Sequence, residues 1–251
     1  MPTILLTNDD GVSAPGLATL ATCLGPLGDV VVVAPAEESS AVSHALTVRR
    51  PLTLSNVSNG WSAVDGTPTD CVNVAVSELL EAPPDLVVSG INNGLNIGDD
   101  VTYSGTVAGA LEGILLGIPA IAVSQQRTLP MHYDRAGIVA AQLAAAVLDE
   151  GLPPRTLLNV NVPRGTPHGV RVTVQAGRTQ EFALESAPAP SERTRVWIGA
   201  ASFDWDAQPD SDYRAIQDRW VSVTPLRPDW THRAAIPAVE ALAAKVLAEV
   251  E

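Results

Sequence analysis

The chain has 251 residues, 46% hydrophobic and 17% charged, enough to bury one sizeable core and too apolar for disorder to be the whole answer. Its 15 Lys and Arg stand against 28 Asp and Glu for a net charge of −13, and Lys245 is the single lysine, so the surface is poorly suited to holding a nucleic-acid duplex by counterion release. A small anionic substrate stays open, because one metal ion or a helix N-terminus reverses the potential locally.

From the N-terminus, short β-branched runs alternate with helical patterns, which is how a parallel sheet flanked by helices is written in sequence. Strands are expected at Thr3–Thr7, Val30–Ala34, Leu86–Ser89, Ala120–Ser124 and Thr156–Val162. Helices are expected where Leu17, Leu20, Ala21, Leu24 and Leu27 recur, over Thr69 to Leu80 and Thr106 to Leu116, and over the alanine-rich stretch from Tyr133 to Asp149. The segment from Ala45 to Val64, interrupted by Pro51 and Asn59-Gly60, reads as a β-ribbon excursion. Together, residues 1–165 are expected to form an α/β core: a three-layer α/β/α, Rossmann-like, mostly parallel sheet.

After Pro163 the composition turns irregular. Strands are expected at Val170–Gln175, Arg195–Ile198 and Trp220–Thr224, followed by an amphipathic helix from Ile236 to Glu249 with Val239, Leu242, Val246 and Leu247 on one face. Residues 166–251 therefore read as a smaller C-terminal unit whose last helix packs on another subunit or folds back on its own. The N-terminus has no basic region ahead of an apolar run, and no apolar stretch reaches the roughly 20 residues of a membrane helix, so a cytoplasmic protein without membrane contact is expected. Cys23 and Cys71 fit neither a metal-ligand spacing nor a disulfide framework and are expected simply to pack.

Chemistry collects at the carboxyl ends of the expected strands, where open parallel sheets bind ligands. The first strand runs into Thr7-Asn8-Asp9-Asp10-Gly11. Two contiguous carboxylates repel one another unless a cation joins them, and an oxygen-only site favours magnesium, manganese or calcium over zinc. The competing structural reading is that Asp9 caps the next helix and Asp10-Gly11 makes a turn. Other strand ends are loaded too, with Glu37, Glu38, Ser39, Ser40 and Ser43-His44 after the second strand, and Ser89 to Asp100 after the strand that begins at Leu86. Ser104-Gly105-Thr106 then opens a helix whose free N–H groups and hydroxyls could cradle a phosphate, although Gly105, Gly109 and Gly113 could equally serve close packing. Gly66-Thr67-Pro68-Thr69-Asp70 reads as a capped helix start. The four histidines show no metal-binding pattern, and only His44 sits in a loaded loop.

Asn8-Asp9-Asp10-Gly11, the loop from Ala34-Pro35 to Ser43, Gly66-Thr67-Pro68-Thr69-Asp70-Cys71, Ser89-Gly90-Ile91-Asn92-x-Gly94 and Tyr103-Ser104-Gly105-Thr106-Val107 together resemble the SurE family of stationary-phase survival proteins. The likeness continues more loosely through Leu158 to Pro163 and Val221 to Leu226. It implies divalent-metal-dependent hydrolysis of nucleoside 5'-monophosphates, often of 3'-monophosphates, with release of polyphosphate ends in some members. By the same resemblance, one magnesium or manganese ion per subunit, with calcium a stand-in in crystals, is held by Asp9, Asp10, Ser40 and Asn92, with Ser39 the competitor for the serine position. The C-terminal third is implied to exchange a hairpin, here Glu181 to Ile198, and the last helix between subunits of a homodimer or homotetramer.

The residues can run such a reaction. A cation on Asp9 and Asp10 would polarise a phosphoryl oxygen and lower the pKa of a bound water, while Asn96, Ser104, Gly105 and Thr106, with Ser43 and His44 nearby, would meet the phosphate. Direct attack by Asp9 through an aspartyl-phosphate is the alternative mechanism, and a non-catalytic nucleotide sensor the alternative function. The sugar-nucleotide transferase reading fits less well, because the C-terminal third is too small for a second ligand domain. Glu37 and Glu38 are expected to repel long polyphosphate and favour mononucleotides. The proton donor to the leaving alcohol is left between His44 and the carboxylates at Asp99-Asp100.

Overall fold

The computed structural model describes residues 1–57, 59–178, 183–187, 195–199 and 205–247. The expected α/β fold is present. Strands β1 (Thr3–Thr7), β2 (Asp29–Pro35), β5 (Leu86–Asn93), β6 (Ala120–Gln125) and β7 (Leu157–Val162) form a parallel run in the order β2-β1-β5-β6-β7. These strands are apolar almost throughout because both faces of the sheet are covered, which removes the alternation of a one-sided strand. Ile4 and Leu6 face one layer with α1 (Pro15–Leu24) and α4 (Asp134–Glu150), whereas Leu5 faces the other with α2 (Pro68–Val74) and α3 (Gly105–Leu115).

The expected elements hold with adjusted ends. The helix predicted over Thr69 to Leu80 is α2 followed by a π-helical turn over Ala75–Leu79, and its start is a capping box in which Thr67 and Asp70 exchange side-chain and backbone hydrogen bonds. Within the predicted ribbon, only β3 (Leu54–Asn56) and β4 (Ser62–Val64) pair antiparallel, and β4 then joins β2 in parallel, so the segment extends the main sheet instead of leaving it.

The C-terminal third also contributes to that sheet. Strand β11 (Val221–Leu226) lies antiparallel to β7, and β8 (Val170–Val172), shorter than predicted, adds to β11 in parallel as the edge. β9 (Ala183–Ala187) and β10 (Arg195–Gly199) form a separate antiparallel pair where the hairpin was expected, although several residues of that stretch lie outside the described ones. The last helix, α6, spans Ile236–Leu247, and the predicted end at Glu249 lies outside the described residues. Among the described residues, no helix is long and apolar enough to cross a membrane. Cys71 is buried and Cys23 partly so, both as free thiols.

One helix was not anticipated: α5 (Asp212–Gln217), whose first residue is fully buried. The Asp212 carboxylate accepts backbone N–H bonds from Gly98 at 2.7 Å, Ala176 at 3.0 Å and Tyr213 at 2.7 Å. Burial raises its pKa and these amides pull it back. Gly98 has φ +52°, and a Cβ there would sit 2.4 Å from the Ala176 carbonyl oxygen and 2.3 Å from the Trp205 ring, so only glycine fits the junction. Asp212→Ala would strand three amides and is expected to cost about 3 kcal/mol or more. Urea denaturation checks this as a lower midpoint at unchanged slope, and an unchanged midpoint would contradict it.

Candidate functional site

The carboxyl edge of the parallel strands opens into a cleft of about 880 Å³. Asp9 and Asp10 enter it from the loop after β1, Glu38 and Ser40 from the loop after β2, Asn92 from the end of β5, and Asn96, Asp100 and Ser104 from the segment leading to α3. The expected aspartate, serine and asparagine donors therefore share one cleft.

Asp9 is almost fully buried, and one of its carboxylate oxygens accepts the Thr106 hydroxyl at 2.6 Å. That contact exists because α3 begins against the strand: a Cβ at Gly105 would lie 2.8 Å from the Asp9 Cβ. Burial is the main reason the Asp9 pKa is pushed up to about 6, with the Thr106 hydroxyl opposing and the Asp10 charge adding to the rise. The Asp10 pKa is raised as well, chiefly by burial, and the Glu38 charge adds to the rise; the Asn93 amide and the Arg127 charge lower it.

The Ser40 hydroxyl donates to Glu38 at 2.7 Å and lines the cleft. Ser39 does not line it: its amide donates to the Asp9 carbonyl oxygen at 2.8 Å, and its hydroxyl is buried without a partner. The Asn92 side-chain nitrogen donates to the Gly94 carbonyl at 3.0 Å, which leaves its amide oxygen as the atom available to a cation. Among the described residues no three His, Cys, Asp or Glu side chains gather as a metal cluster, so a cation here would rely on the two aspartates plus neutral oxygen donors.

The phosphate-facing residues divide. Asn96 and Ser104 line the cleft. The Ser104 hydroxyl accepts the Val107 amide as the cap of α3, and the Thr106 hydroxyl is committed to Asp9, so what the helix start offers is chiefly backbone N–H. Ser43 and His44 line a smaller neighbouring cavity of about 180 Å³ instead. Ser43 donates to the Thr102 carbonyl at 2.7 Å, and His44 pairs with Glu112 at 2.6 Å, with Asn73 on the other carboxylate oxygen, so both residues fasten the loop that carries Ser40. Of the proposed proton donors, Asp99 accepts the Arg178 amide and Asp100 forms an ion pair with Arg178.

Sequence reasoning missed three contributors. Asn159 and Asn161 on β7 both donate to the Asn96 carbonyl, at 2.8 and 2.9 Å, and Asn161 accepts the Asn96 amide at 2.9 Å. They lie in the Leu158-Asn159-Val160-Asn161-Val162-Pro163 run, where two asparagines in an otherwise apolar strand were the available signal. Arg127, just beyond β6, lines the cleft and had no pattern to announce it.

Asp9→Asn tests the electrostatics. A folded-state pKa of about 6 against the ordinary 3.8 means that the burial penalty of ionised Asp9 is absent at low pH, grows between the two values, and is complete above about 6. In chelator the substitution is therefore expected to raise stability at about pH 8, by about 2 to 3 kcal/mol, and to leave it nearly unchanged at about pH 4. Thermal melts at the two pH values check this, and an equal shift at both would contradict it.

The chain is similar to known proteins over most of its length. Residues 4–182 match the family model described as survival protein SurE. The chain is 48% identical over 242 residues to the 5'-nucleotidase SurE of Pelobacter propionicus, covering 94% of this chain and 97% of that protein. It is 49% identical over 233 residues to the 5'-nucleotidase SurE of Geotalea daltonii, covering 91% and 94%. The crystal structure of the SurE protein from Aquifex aeolicus superposes with a TM-score of 0.86 at 41% identity, covering 96% of this chain and all of that one.

Proposed function

Because the chain belongs to the SurE family, we propose that it is a 5'-nucleotidase, a phosphoric monoester hydrolase that releases phosphate from nucleoside 5'-monophosphates. The observation that carries this reading is the Asp9-Asp10 pair at the carboxyl edge of the sheet, Asp9 buried and held by the first turn of α3 and Asp10 half-buried beside it. Two adjacent carboxylates with raised pKa values are a site with unbalanced negative charge, and a hard divalent cation balances it. Asp9, Asp10, the Ser40 hydroxyl and the Asn92 amide oxygen would hold one such ion per subunit, magnesium or manganese in kind, with calcium also fitting an oxygen-only set. When bound, the ion supplies Lewis-acid polarisation of the phosphoryl group and of a water.

The chain's own residues do the remaining work. Thr106 fixes the Asp9 carboxylate, and Glu38, by accepting the Ser40 hydroxyl hydrogen, turns the serine lone pairs toward a cation. Asn96 and Ser104 line the cleft, and the N–H groups of the first turn of α3 begin directly behind Ser104, so this end of the cleft is where charge building on the phosphoryl oxygens would be met. An aspartyl-phosphate is disfavoured because Asp9 is nearly buried and one of its oxygens is already occupied by Thr106. Nucleoside 3'-monophosphates are further substrates of the same cleft. Long polyphosphate is a poor one, because Glu38 lines the cleft and Glu37 is exposed beside it.

Phosphate release from a panel of nucleoside 5'- and 3'-monophosphates and long-chain polyphosphate, with manganese, magnesium or chelator, tests this reading. Turnover is expected to need metal, to favour mononucleotides, and to fall by roughly a hundredfold or more in Asp9→Asn. Nucleotide binding without phosphate release under any metal would favour the sensor reading.

The same proposal extends to assembly. Val239, Leu242 and Val246 on α6 are 58%, 61% and 64% exposed, an apolar face that a second copy in a homodimer or homotetramer would cover. Deleting residues from Ala235 onward is expected to give a monomer or an insoluble chain by light scattering, and an unchanged oligomer mass would contradict it.

A further inference from the structure

We infer that Arg127 receives the phosphate of the substrate beside the cation and sets the preference of the cleft for doubly charged phosphomonoesters; this rests on the nucleotidase reading above. Four carboxylates, Asp9, Asp10, Glu38 and Asp100, line the cleft, and Arg127 is the one basic side chain among the described residues that line it. Asp100 is matched by its ion pair with Arg178, which leaves three carboxylates facing the space. A divalent cation offsets two of those charges. An arriving phosphate dianion would still meet a net negative surface, and the Arg127 guanidinium is the group that brings the balance to neutral.

Position supports the role. Arg127 comes just after Gln126, the residue that follows β6 and is pinned by a 2.8 Å amide bond to the Val162 carbonyl, and its charge is felt at Asp10. Its Nε donates to the Asn93 carbonyl at 3.3 Å, and among the described residues its two terminal nitrogens have no acceptor. The guanidinium is thus tethered to the residue next to Asn92, the proposed cation donor, with its forked N–H groups left for an acceptor that the protein does not supply. A phosphoryl group offers the paired oxygens that this fork takes in bidentate fashion. The preferred substrate class is therefore a terminal phosphomonoester, and a phosphodiester with its single charge is the disfavoured one.

Arg127→Ala and Arg127→Lys test the assignment. In the manganese-loaded protein, the KM for a nucleoside 5'-monophosphate and the inhibition constant of inorganic phosphate are both expected to rise by roughly tenfold or more in Arg127→Ala, with partial recovery in Arg127→Lys. Competitive inhibition by the bare nucleoside is expected to stay as in wild type, and the Mn2+ dissociation constant, read by electron paramagnetic resonance, is expected not to rise, since the Arg127 charge beside Asp10 opposes the ion and donates nothing to it. Unchanged phosphate inhibition, equal weakening of nucleoside and phosphate, or loss of Mn2+ binding would each overturn the proposal, the last by showing that Arg127 acts through Asn93. Wild type that turns over no nucleotide would instead defeat the nucleotidase reading, while phosphate binding measured by calorimetry would still decide whether Arg127 holds the anion.

Discussion

The cleft depends on how closely the first turn of α3 approaches the end of β1. Gly105 has no Cβ to collide with Asp9, Thr106 reaches the Asp9 carboxylate, and one turn later Gly109 lies so near that a Cβ would come within 2.8 Å of the Thr7 side chain and 3.0 Å of Ser89. This proximity removes water from Asp9 and makes its charge costly, which is the condition under which a cation gains most from arriving. A helix seated a residue's width further out would leave Asp9 solvated and without its orienting hydroxyl.

A molecule with a net charge of −13 that handles anionic substrates must confine its attraction to a small volume. The structure does so by pairing off other acidic groups, Asp100 in the cleft with Arg178 and Asp218 away from it with Arg171 and Arg214, while keeping Asp9, Asp10 and Glu38 together.

What could be read in advance was what is written locally. The parallel strands β1, β2, β5, β6 and β7 announce themselves as apolar runs because both faces are buried, and the Thr67-Pro68-Thr69-Asp70 start is a capping pattern complete within four residues. The glycines at 105, 109 and 113 had two readings, and the structure bears out close packing, with Gly105 against Asp9, Gly109 against Thr7 and Ser89, and Gly113 against Val87 and Ala120. The arrangements that sequence did not disclose are those made by partners far apart in the chain. His44 was expected to meet the phosphate or to give up a proton because its loop was crowded with oxygen donors, yet its partner Glu112 stands 68 residues away, and no periodicity encodes such a distance. Arg127 and Asp212 are likewise ordinary residues in loops and at a short helix start until the sheet brings them to Asn93 and Gly98.

The Asp212 junction bears on the order in which the molecule can become whole. Synthesis runs from the N-terminus, so Asp9, Asp10, Ser40 and Asn92 are all present early, with β1, β2 and β5 able to pair around them. The Asn96 carbonyl must wait for Asn159 and Asn161, and the Gly98 amide for Asp212. A nascent chain stopped at residue 200 would carry every proposed cation donor and still lack the carboxylate that receives the Gly98 amide. The wall of the cleft is thereby tied to the last third of the polypeptide, and an incomplete chain holds the chemistry without the frame that shapes it.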